Sequence, residues 1–591
     1  MINEEIAQIF AKMSRVLAFK NADRFRVLAY DRAANSLRDL KDDLAAIAEA
    51  GKLDDIPGVG KDLAGMIEEY IETHRIKRYE QERRGIPDGL IDLMNVPGLG
   101  PKTLALLHKK LHIRGFEDLE RALNSGALAS LPGFGEKKIE NLRRGVGLWL
   151  SSKQRMLLGI ALPLAEDLLA RVRKIALVES ADVAGSIRRR LETIGDMDIL
   201  ICSRDSARAL KELAGLPQVK EVLALGETRA TVIVEGGIQV DVRAVPEESY
   251  GAALQYFTGS KQHNVHLRTI ARERGLKFNE YGVFRGAKRI AGASEEEVYG
   301  TMDMPAPPPE LREDRGEIEA ALERKLPKLI EIGDLRGDLH AHTNYSDGRS
   351  TIEEMVERAA ELDYEYIALT DHSPAERIAR GLDRARLEEK IEELEKVRQK
   401  RGRRKPRVLL GGEVDILADG ALDYPEDVLR WFEVVTASVH SAFKQSRDRM
   451  TGRLLDAIAN PYVHIIGHPT TRLIGAREPV AFDLDKVVRA AVDCGVALEV
   501  NGSPYRLDLT DTMARAAAEA GAVLAINSDA HSAGQLDVIR YGVFQARRGW
   551  IEARDVVNAW PWPKLSRWLV KRRHRDEPRP ARSIALSRRT S

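Results

Sequence analysis

Two aspartates at the start of an apolar run constrain the fold of this chain more than any other feature. Asp196 and Asp198 precede the apolar segment 199–201, which predicts a strand in which residues two apart face the same side. Asp241 lies in a second predicted strand, 238–242, whose apolar and polar residues alternate. Neighbouring strands of one sheet would bring the three carboxylates together. Two Mg²⁺ ions held there would clamp the attacking and leaving oxygens of a phosphoryl displacement.

The segment just before these aspartates predicts phosphate binding. Gly185 and Ser186 follow an apolar pair and allow backbone and hydroxyl to approach phosphate oxygens. Arg188 and Arg189 offer forked donors that suit a triphosphate. A pair of aspartates alone is most often a solvated strand edge, so the prediction depends on the whole segment.

The sequence from Gly185 to Leu200 resembles the palm motif of X-family DNA polymerases nearly residue for residue, and the resemblance covers residues 1 to about 315. It implies an α+β nucleotidyltransferase palm, a thumb that selects the incoming dNTP, and two Mg²⁺ ions in the palm. The residues implied as catalytic are Asp196, Asp198 and Asp241. The residues implied to contact the nucleotide are Gly185, Ser186, Arg188, Arg189, Gly195, Tyr256, Phe257, Gly259, Lys261 and Asn264. Arg243 and Arg268 are implied to contact DNA.

A short Pro-Gly-x-Gly pattern occurs three times, around Gly58, Gly98 and Gly133, each time between helical periodicities. The glycines permit a tight turn, and the following helix presents unpaired N–H groups to an anion. One copy is more often an ordinary helix end, but three copies with lysines close behind favour DNA binding. They resemble helix-hairpin-helix motifs, which grip DNA phosphates without reading sequence. The predicted contacts are Gly58, Gly60, Gly98, Gly100 and Lys102, and the third copy is expected to be mainly structural.

Segment 25–34 resembles the amino-terminal small domain of the family, which binds the downstream 5′-phosphate of a gap. Met66 stands where polymerase beta has its lyase lysine. Methionine cannot form a Schiff base, so lysine-dependent lyase activity is not expected unless Lys61 or Lys52 takes over.

Beyond a Pro-rich segment that starts at Met304, short apolar strands alternate with amphipathic helices. Strand after strand ends in a metal-type side chain, and the carboxyl ends of parallel strands are where a β/α barrel places its chemistry. Seven of the 13 histidines lie between residues 340 and 531; His464 is expected to be a core residue. The predicted metal ligands are His340, His342, Asp347, His372, Glu413, His440, His468, Asp529 and His531.

This pattern resembles the polymerase and histidinol phosphatase (PHP) domain, a distorted β/α barrel with three metal ions. The resemblance implies one metal on His340, His342, Glu413 and Asp529, a second on Glu413, His440 and His468, and a third on Asp347, His372 and His531. Nitrogen and oxygen ligands suit Mn²⁺ or Zn²⁺. The implied chemistry is metal-assisted phosphoester hydrolysis by a 3′-5′ exonuclease, with abasic-site endonuclease as a further activity. The alternative is a barrel that acts only on small phosphomonoesters or serves as a scaffold.

The chain of 591 residues is therefore expected to be multidomain. The predicted units are α-helical helix-hairpin-helix domains at 1–85 and 86–150, a palm at 151–245, a thumb at 246–315, a linker at 316–335, the barrel at 336–570 and a disordered basic tail at 571–591. Expected partners are gapped or nicked double-stranded DNA and dNTPs. With no disulfide pattern in Cys202 and Cys494 and no apolar span, we expect a cytoplasmic protein, without a membrane contact and monomeric. An alternative of another class, a DNA-binding repair scaffold with an inactive palm, is disfavoured by the three intact aspartates.

Overall fold

A computed structural model describes residues 2–573 of the chain, except residues 39–43, 50, 57, 74, 95, 97–98, 132, 141, 144–145 and 147–154. The predicted disordered tail falls outside the described residues from residue 574 onward. Among the helices described, none is long and apolar enough to cross a membrane.

The amino-terminal part is helical and forms two separate apolar cores. The helix Lys61–Thr73 buries Leu63, Met66 and Ile67 on one face, a spacing of three and four residues that places them in the first core. The second core is built around Leu104 and Leu107. The helices are Ile2–Phe19, Arg24–Arg38, Leu44–Glu49, Lys61–Thr73, Lys77–Arg83, Asp88–Leu93, Pro101–Leu111 and Phe116–Asn124.

The palm contains seven strands: β1 (Met156–Leu157), β2 (Val178–Val183), β3 (Thr193–Ile194), β4 (Met197–Ser203), β5 (Val219–Leu225), β6 (Arg229–Val234) and β7 (Gln239–Val245). Five of them form a mixed sheet in the order β2-β4-β7-β6-β5, in which β4 and β7 are parallel and the other pairs are antiparallel. A separate pair, β1 and β3, lies beside it. The predicted strand after Asp198 is β4, whose apolar residues are all buried. The helices of this unit are Leu158–Val172, Gly185–Arg188 and Ser206–Ala214.

The thumb combines helices with a small antiparallel sheet. Part of the predicted linker belongs to it, because the helix Glu317–Leu322 packs Ile318 and Ala321 into the thumb core and buries Glu317 2.6 Å from His263 Nδ1. The elements are the helices Tyr250–Thr258, Lys261–Glu273, Glu295–Gly300 and Glu317–Leu322 and the strands β8 (Lys277–Asn279), β9 (Gly282–Arg285) and β10 (Lys288–Ala291).

The carboxyl-terminal unit is a nearly closed parallel barrel, which confirms the predicted fold class. Seven strands lie side by side in chain order, and a bridge between Ala341 and Ala530 joins the first strand to the segment after the last. Nearly every strand residue is buried, as expected for parallel strands covered by helices. The strands are β11 (Gly337–Ala341), β12 (Tyr366–Leu369), β13 (Arg407–Asp415), β14 (Val434–Ser438), β15 (Ile465–Ile466), β16 (Ala497–Asn501) and β17 (Leu524–Asn527). The helices are Ile352–Glu361, Arg384–Arg401, Glu426–Leu429, Arg447–Ala459, Leu484–Cys494, Asp511–Glu519, Ile539–Arg548 and Trp562–Arg573.

The barrel and the palm share apolar packing. Leu507 and Tyr541 of the barrel are buried in the palm core, with Phe544 partly buried beside them. Gly159 lies so close to Pro504 that a Cβ at residue 159 would overlap the proline ring. Both cysteines are free: Cys202 is buried, and Cys494, at the end of its helix, is partly exposed. His464 is buried, as predicted, and its ring contacts the backbone of Val435.

Candidate active sites

The three palm aspartates lie at one end of the parallel pair β4 and β7. Asp198 and Asp241 are direct register partners, and Asp196 immediately precedes β4. Burial, together with the charges of Asp196 and Asp241, raises the pKa of Asp198 to about 6. The three carboxylates therefore repel one another in a site that a divalent cation would neutralise.

Asp241 is held by neutral and cationic donors. Burial raises its pKa, but hydrogen bonds from Thr231 (2.6 Å), Gln239 (2.7 Å) and Arg229 (3.1 Å) outweigh that effect and leave the pKa below its usual value. Asp241 thus stays ionised while its neighbour Asp198 is the aspartate that most needs a counter-charge.

The turn that begins at Gly185 brings backbone against this site. Gly185 has φ +60°, and a Cβ at this residue would overlap Asp198 Oδ2. Ser186 lies in the same turn, where its carbonyl accepts a hydrogen bond from the Leu191 amide. Gly195 lies in the bend between β3 and β4. The glycine at residue 185 is thus required by both the backbone conformation and the space left by the carboxylate.

The two arginines of the turn are both bonded to the thumb. The Arg188 guanidinium donates to both oxygens of Glu295, at 2.8 and 2.7 Å, and to Thr258 Oγ1 at 2.6 Å. The sequence predicts that the Arg188 guanidinium binds phosphate, but both of its terminal nitrogens donate to Glu295 instead. Arg189 donates from Nε to Glu313 Oε1 at 3.0 Å and from Nη1 to the carbonyl of Thr258.

Two aromatic rings of the thumb face each other edge to face, with the centroids of Tyr256 and Phe257 5.1 Å apart. Arg268 lies over the Tyr256 ring at 5.0 Å, and Arg243 lies over the Phe257 ring at 4.6 Å. Cation–π contact therefore orders both arginines predicted to contact DNA.

The remaining predicted nucleotide contacts lie at the junction of two thumb helices. The peptide bond between Gly259 and Ser260 is cis. Asn264 Nδ2 donates to the carbonyl of Tyr256 at 2.7 Å, and Asn264 Oδ1 accepts from Gln255 at 3.0 Å. Lys261 is exposed in the first turn of its helix.

The hairpin turns have the predicted form where the structure describes them. Gly58, with φ +81°, and Gly60 precede the helix Lys61–Thr73, and Gly100 is the residue before the helix Pro101–Leu111. Gly98 and the side chain of Lys102 lie outside the described residues.

The lyase position is closed to solvent. Met66 is buried in the first helical core, where its sulfur lies 3.7 Å from the hydroxyl of Tyr30. Lys52 and Lys61 are both exposed.

In the barrel, Glu413 lies at the centre of the predicted ligands, and its two oxygens face different histidines. Oε1 lies 3.3 Å from His440 Nε2 and 3.0 Å from His468 Nε2. Oε2 lies 3.3 Å from His340 Nε2 and 3.0 Å from His372 Nδ1. The nearby rings lower the pKa of Glu413 well below its usual value although burial raises it, so the carboxylate is charged.

The other two carboxylates complete the cluster on either side. Asp529 Oδ1 lies 3.2 Å from His342 Nε2. Asp347 Oδ2 lies 3.3 Å from His531 Nε2, and Asp347 Oδ1 lies 3.7 Å from His372 Nε2 and 3.8 Å from His342 Nδ1. All nine predicted ligands therefore meet in one place. His342 lies near both Asp347 and Asp529, whereas the family resemblance assigns it to a single metal ion.

The donor set fits divalent cations. Among the described residues, several buried ring nitrogens form no well-directed hydrogen bond although carboxylates lie near some of them: His340 Nε2, His342 Nδ1 and Nε2, His372 Nδ1 and His468 Nδ1. Within the described part of the chain, four groups have ligand atoms close enough to hold an ion: His342, Asp347, His372 and His531; His340, His342 and Asp529; His372, Glu413 and His440; and Glu376, Asp415 and His440. Imidazole with carboxylate suits Zn²⁺ or Mn²⁺.

Carboxylates behind the cluster fix its histidines, and the sequence prediction missed them. Glu499 lies 2.7 Å from His340 Nδ1 and accepts from the His468 amide at 2.7 Å and from Asn527 at 2.8 Å. Asp415 Oδ1 lies 3.2 Å from His440 Nδ1. Such carboxylates turn the opposite ring nitrogen toward a metal. A lone acid inside the apolar strand β16 is the signal that could have identified Glu499.

Asp371 fixes the loop that carries Asp347. It accepts hydrogen bonds from the Thr343 amide at 2.8 Å and from Ser346 Oγ at 2.6 Å, and it pairs with Lys390 at 2.9 Å. Both members of this ion pair are fully buried, so the loop is held by a contact that water does not weaken.

Family models match four parts of the chain. They are a helix-hairpin-helix domain (residues 1–76), a SAM-like helix-hairpin-helix tandem (residues 90–146), a DNA polymerase beta thumb (residues 253–313) and a PHP domain (residues 338–503).

Relatives match either nearly the whole chain or one part of it. The DNA polymerase/3′-5′ exonuclease PolX of Bacillus subtilis is 36% identical over 563 residues, which cover 95% of this chain and 98% of that protein. A probable phosphatase of Thermoanaerobacter is 35% identical over 210 residues, 33% of this chain and 78% of that protein. DNA polymerase lambda of Arabidopsis thaliana is 24% identical over 341 residues, 51% of this chain and 61% of that protein.

Replacing Gly185 tests the turn beside Asp198. Gly185→Ala should lower the expected nucleotide addition by at least about 100-fold, because its methyl group overlaps Asp198 Oδ2 in a backbone that also disfavours alanine. Gly237→Ala is the matched control, since Gly237 has φ +75° with nothing within 4 Å of the added Cβ. Primer extension on a gapped duplex measures both. Equal activity of the two variants would contradict the steric argument.

The burial of Met66 predicts that the small domain forms no covalent adduct. Borohydride treatment with an incised abasic site should trap little protein on DNA compared with a lysine-dependent lyase, because no amine lies at this position. A strong adduct mapped to Lys61 or Lys52 by peptide mass spectrometry would overturn this prediction.

Proposed function

Since this chain belongs to the PolX family of X-family DNA polymerases with a carboxyl-terminal PHP domain, we propose that it fills short gaps in DNA repair and that its barrel shortens DNA 3′ ends. The pairing of Asp198 with Asp241 beside the Gly185 turn supports the polymerase, and Glu413 with its facing histidines supports the nuclease. Incubation with a gapped duplex and Mn²⁺, with and without dNTPs, tests both: extension is expected with dNTPs and shortening without them.

In the palm, Asp196, Asp198 and Asp241 would hold two Mg²⁺ ions, and Ser186 and Arg189 would bind the triphosphate. Arg188 instead joins the turn to the thumb, because Glu295 occupies its guanidinium. The rings of Tyr256 and Phe257 would line the sugar, with Gly259, Lys261 and Asn264 at the rest of the nucleotide. Gly195 would set the approach of the chain to Asp196.

In the barrel, the nine ligands would hold three Mn²⁺ or Zn²⁺ ions. Bound cations supply Lewis acidity to the phosphoester and an activated water. The chain itself orients the ligands: Glu499 positions His340, Asp415 positions His440, and Asp371 fixes the loop of Asp347. Because both oxygens of Glu413 face ring nitrogens, we assign it to two ions.

The proposed partners are gapped or nicked duplex DNA and dNTPs. The helix N-termini after Gly60 and Gly100 would bind DNA phosphates, together with Gly58, Gly98, Lys102, Arg243 and Arg268. We propose a monomer in the cytoplasm, where thiols remain reduced, and both cysteines of this chain are free.

A second activity, hydrolysis of phosphomonoesters, is favoured by the similarity of the barrel to a probable phosphatase. A duplex that ends in a 3′-phosphate distinguishes the two activities. A phosphatase would release phosphate and stop, whereas an exonuclease would continue to shorten the strand.

The two sites should be separable by single substitutions. Asp198→Asn should lower nucleotide addition on a one-nucleotide gap by at least about 100-fold, because the carboxylate paired with Asp241 is lost. Mn²⁺-dependent shortening of the 3′ end should remain near wild type, since all nuclease ligands lie in the barrel. Loss of both activities in a folded variant would contradict two independent sites.

Glu413 should matter to more than one metal ion. Glu413→Ala should abolish 3′-end shortening and lower bound metal by roughly two equivalents per chain, whereas His531→Ala should lower it by about one. Elemental analysis after identical purification measures this, and gap filling should be retained in both variants. Full nuclease activity and metal content in Glu413→Ala would overturn the assignment.

A further inference from the structure

One helix of the barrel packs against the palm turn at residues 185–190, which carries the proposed phosphate-binding residues Ser186 and Arg189. Helix Ile539–Arg548 of the barrel runs along this turn, and its Tyr541 is buried in the palm core. The Arg190 guanidinium lies over the ring of Phe544 from the same helix, at 4.6 Å. The palm turn is therefore packed against the nuclease unit rather than against solvent.

Arg548, the last residue of that helix, makes the most direct contact with the turn. Its Nη1 donates to the carbonyl of Arg189 at 2.8 Å and to Glu313 Oε1 at 3.1 Å. Glu313 Oε1 is also the acceptor of Arg189 Nε at 3.0 Å. One barrel arginine thus holds both the backbone of Arg189 and the carboxylate that orients its side chain. The Arg548 side chain is only 5% exposed, so solvent hardly weakens these bonds.

Further contacts hold Arg548 and the turn from the barrel side. Arg548 Nη2 donates to Asp511 Oδ2 at 2.8 Å, and Arg315 of the thumb segment donates to the same oxygen at 2.9 Å. At the other end of the turn, Arg472 of the barrel pairs with both oxygens of Glu192. Palm, thumb and barrel therefore meet at one network of charged hydrogen bonds.

The turn needs this support because its backbone is strained. Arg190 has φ +57°, a conformation that costs free energy for a residue other than glycine. The partly buried carbonyl of Arg189, just before it, would lose the hydrogen bond from Arg548 if that side chain were removed. The donation from Arg548 stabilises the strained turn at the residue that precedes the strain.

We propose that the PHP barrel is a working part of the polymerase site, in which Arg548 is the positioning residue that holds Arg189 for the triphosphate of the incoming nucleotide. This inference rests on the proposed nucleotide contact of Arg189. The barrel would then contribute to both activities. Its metal ligands would support phosphoester hydrolysis, and Arg548, at the carboxyl end of helix Ile539–Arg548, would position Arg189 for nucleotide binding.

The test is steady-state gap filling by the full-length protein with varied dNTP. Arg548→Met keeps the apolar stem and removes every donor, so the KM for dNTP should rise about tenfold, as for the loss of a charge-assisted hydrogen bond, with a smaller fall in kcat. Mn²⁺-dependent 3′-end shortening should be unchanged and reports that the barrel is folded. Arg540→Met is the matched control: it removes an ion pair that joins the same helix to Glu166 of the palm rather than to Arg189 or Glu313, and it should leave KM unchanged.

A double-mutant cycle with Arg189→Met separates this inference from the proposed function. If Arg548 acts through Arg189, Arg548→Met should raise KM no further once Arg189 is already methionine. An unchanged KM in Arg189→Met would show that the proposed nucleotide contact is wrong. A raised KM in Arg189→Met with wild-type KM in Arg548→Met, or fully additive effects, would overturn the positioning role alone.

Discussion

Mutual repulsion between carboxylates is the physical constraint on which both active sites depend. Each site gathers acidic side chains at the ends of parallel strands, where partial burial makes uncompensated charge costly. The two sites answer this cost differently. Asp198 has a raised pKa because burial and its acidic neighbours act on it without sufficient counter-charge. Glu413, in contrast, is surrounded by imidazole rings that keep it ionised. The palm site therefore depends more on added positive charge than the barrel site, where histidine rings already surround the central carboxylate.

The same contrast explains the surroundings of each site. In the palm, the turn at Gly185 lies directly against Asp198, and Asp241 is the aspartate that accepts several side-chain hydrogen bonds. The barrel ligands are fixed from behind by Glu499, Asp415 and Asp371. The barrel ligands are therefore oriented by neighbouring side chains, as expected for a metal site whose geometry is fixed before the metal binds.

Local sequence predicted the elements that carry chemistry, and it failed where distant residues pair. The apolar run after Asp198 identified a strand that is buried on both faces, and the alternation around Asp241 identified a strand that is buried mainly on one face. Eight of the nine barrel ligands could be predicted because they lie within or within four residues after an apolar strand, and Asp347 lies in the loop that follows the first of these strands. The pairing of Arg188 with Glu295 could not, since the residues are 107 positions apart. The sequence predicts a linker at 316–335 because this stretch is rich in charged residues. The helix Glu317–Leu322 nevertheless packs Ile318 and Ala321 against thumb residues that are distant in sequence.

The apolar packing shared by palm and barrel limits how such a chain can change over generations. Deleting the barrel would uncover the palm surface that Leu507 and Tyr541 now bury, and an uncovered apolar patch promotes aggregation. Substituting a single ligand such as His468 would leave that surface intact. Loss of the nuclease by point substitution would therefore leave the palm covered, whereas loss of the whole barrel would expose apolar palm surface to water.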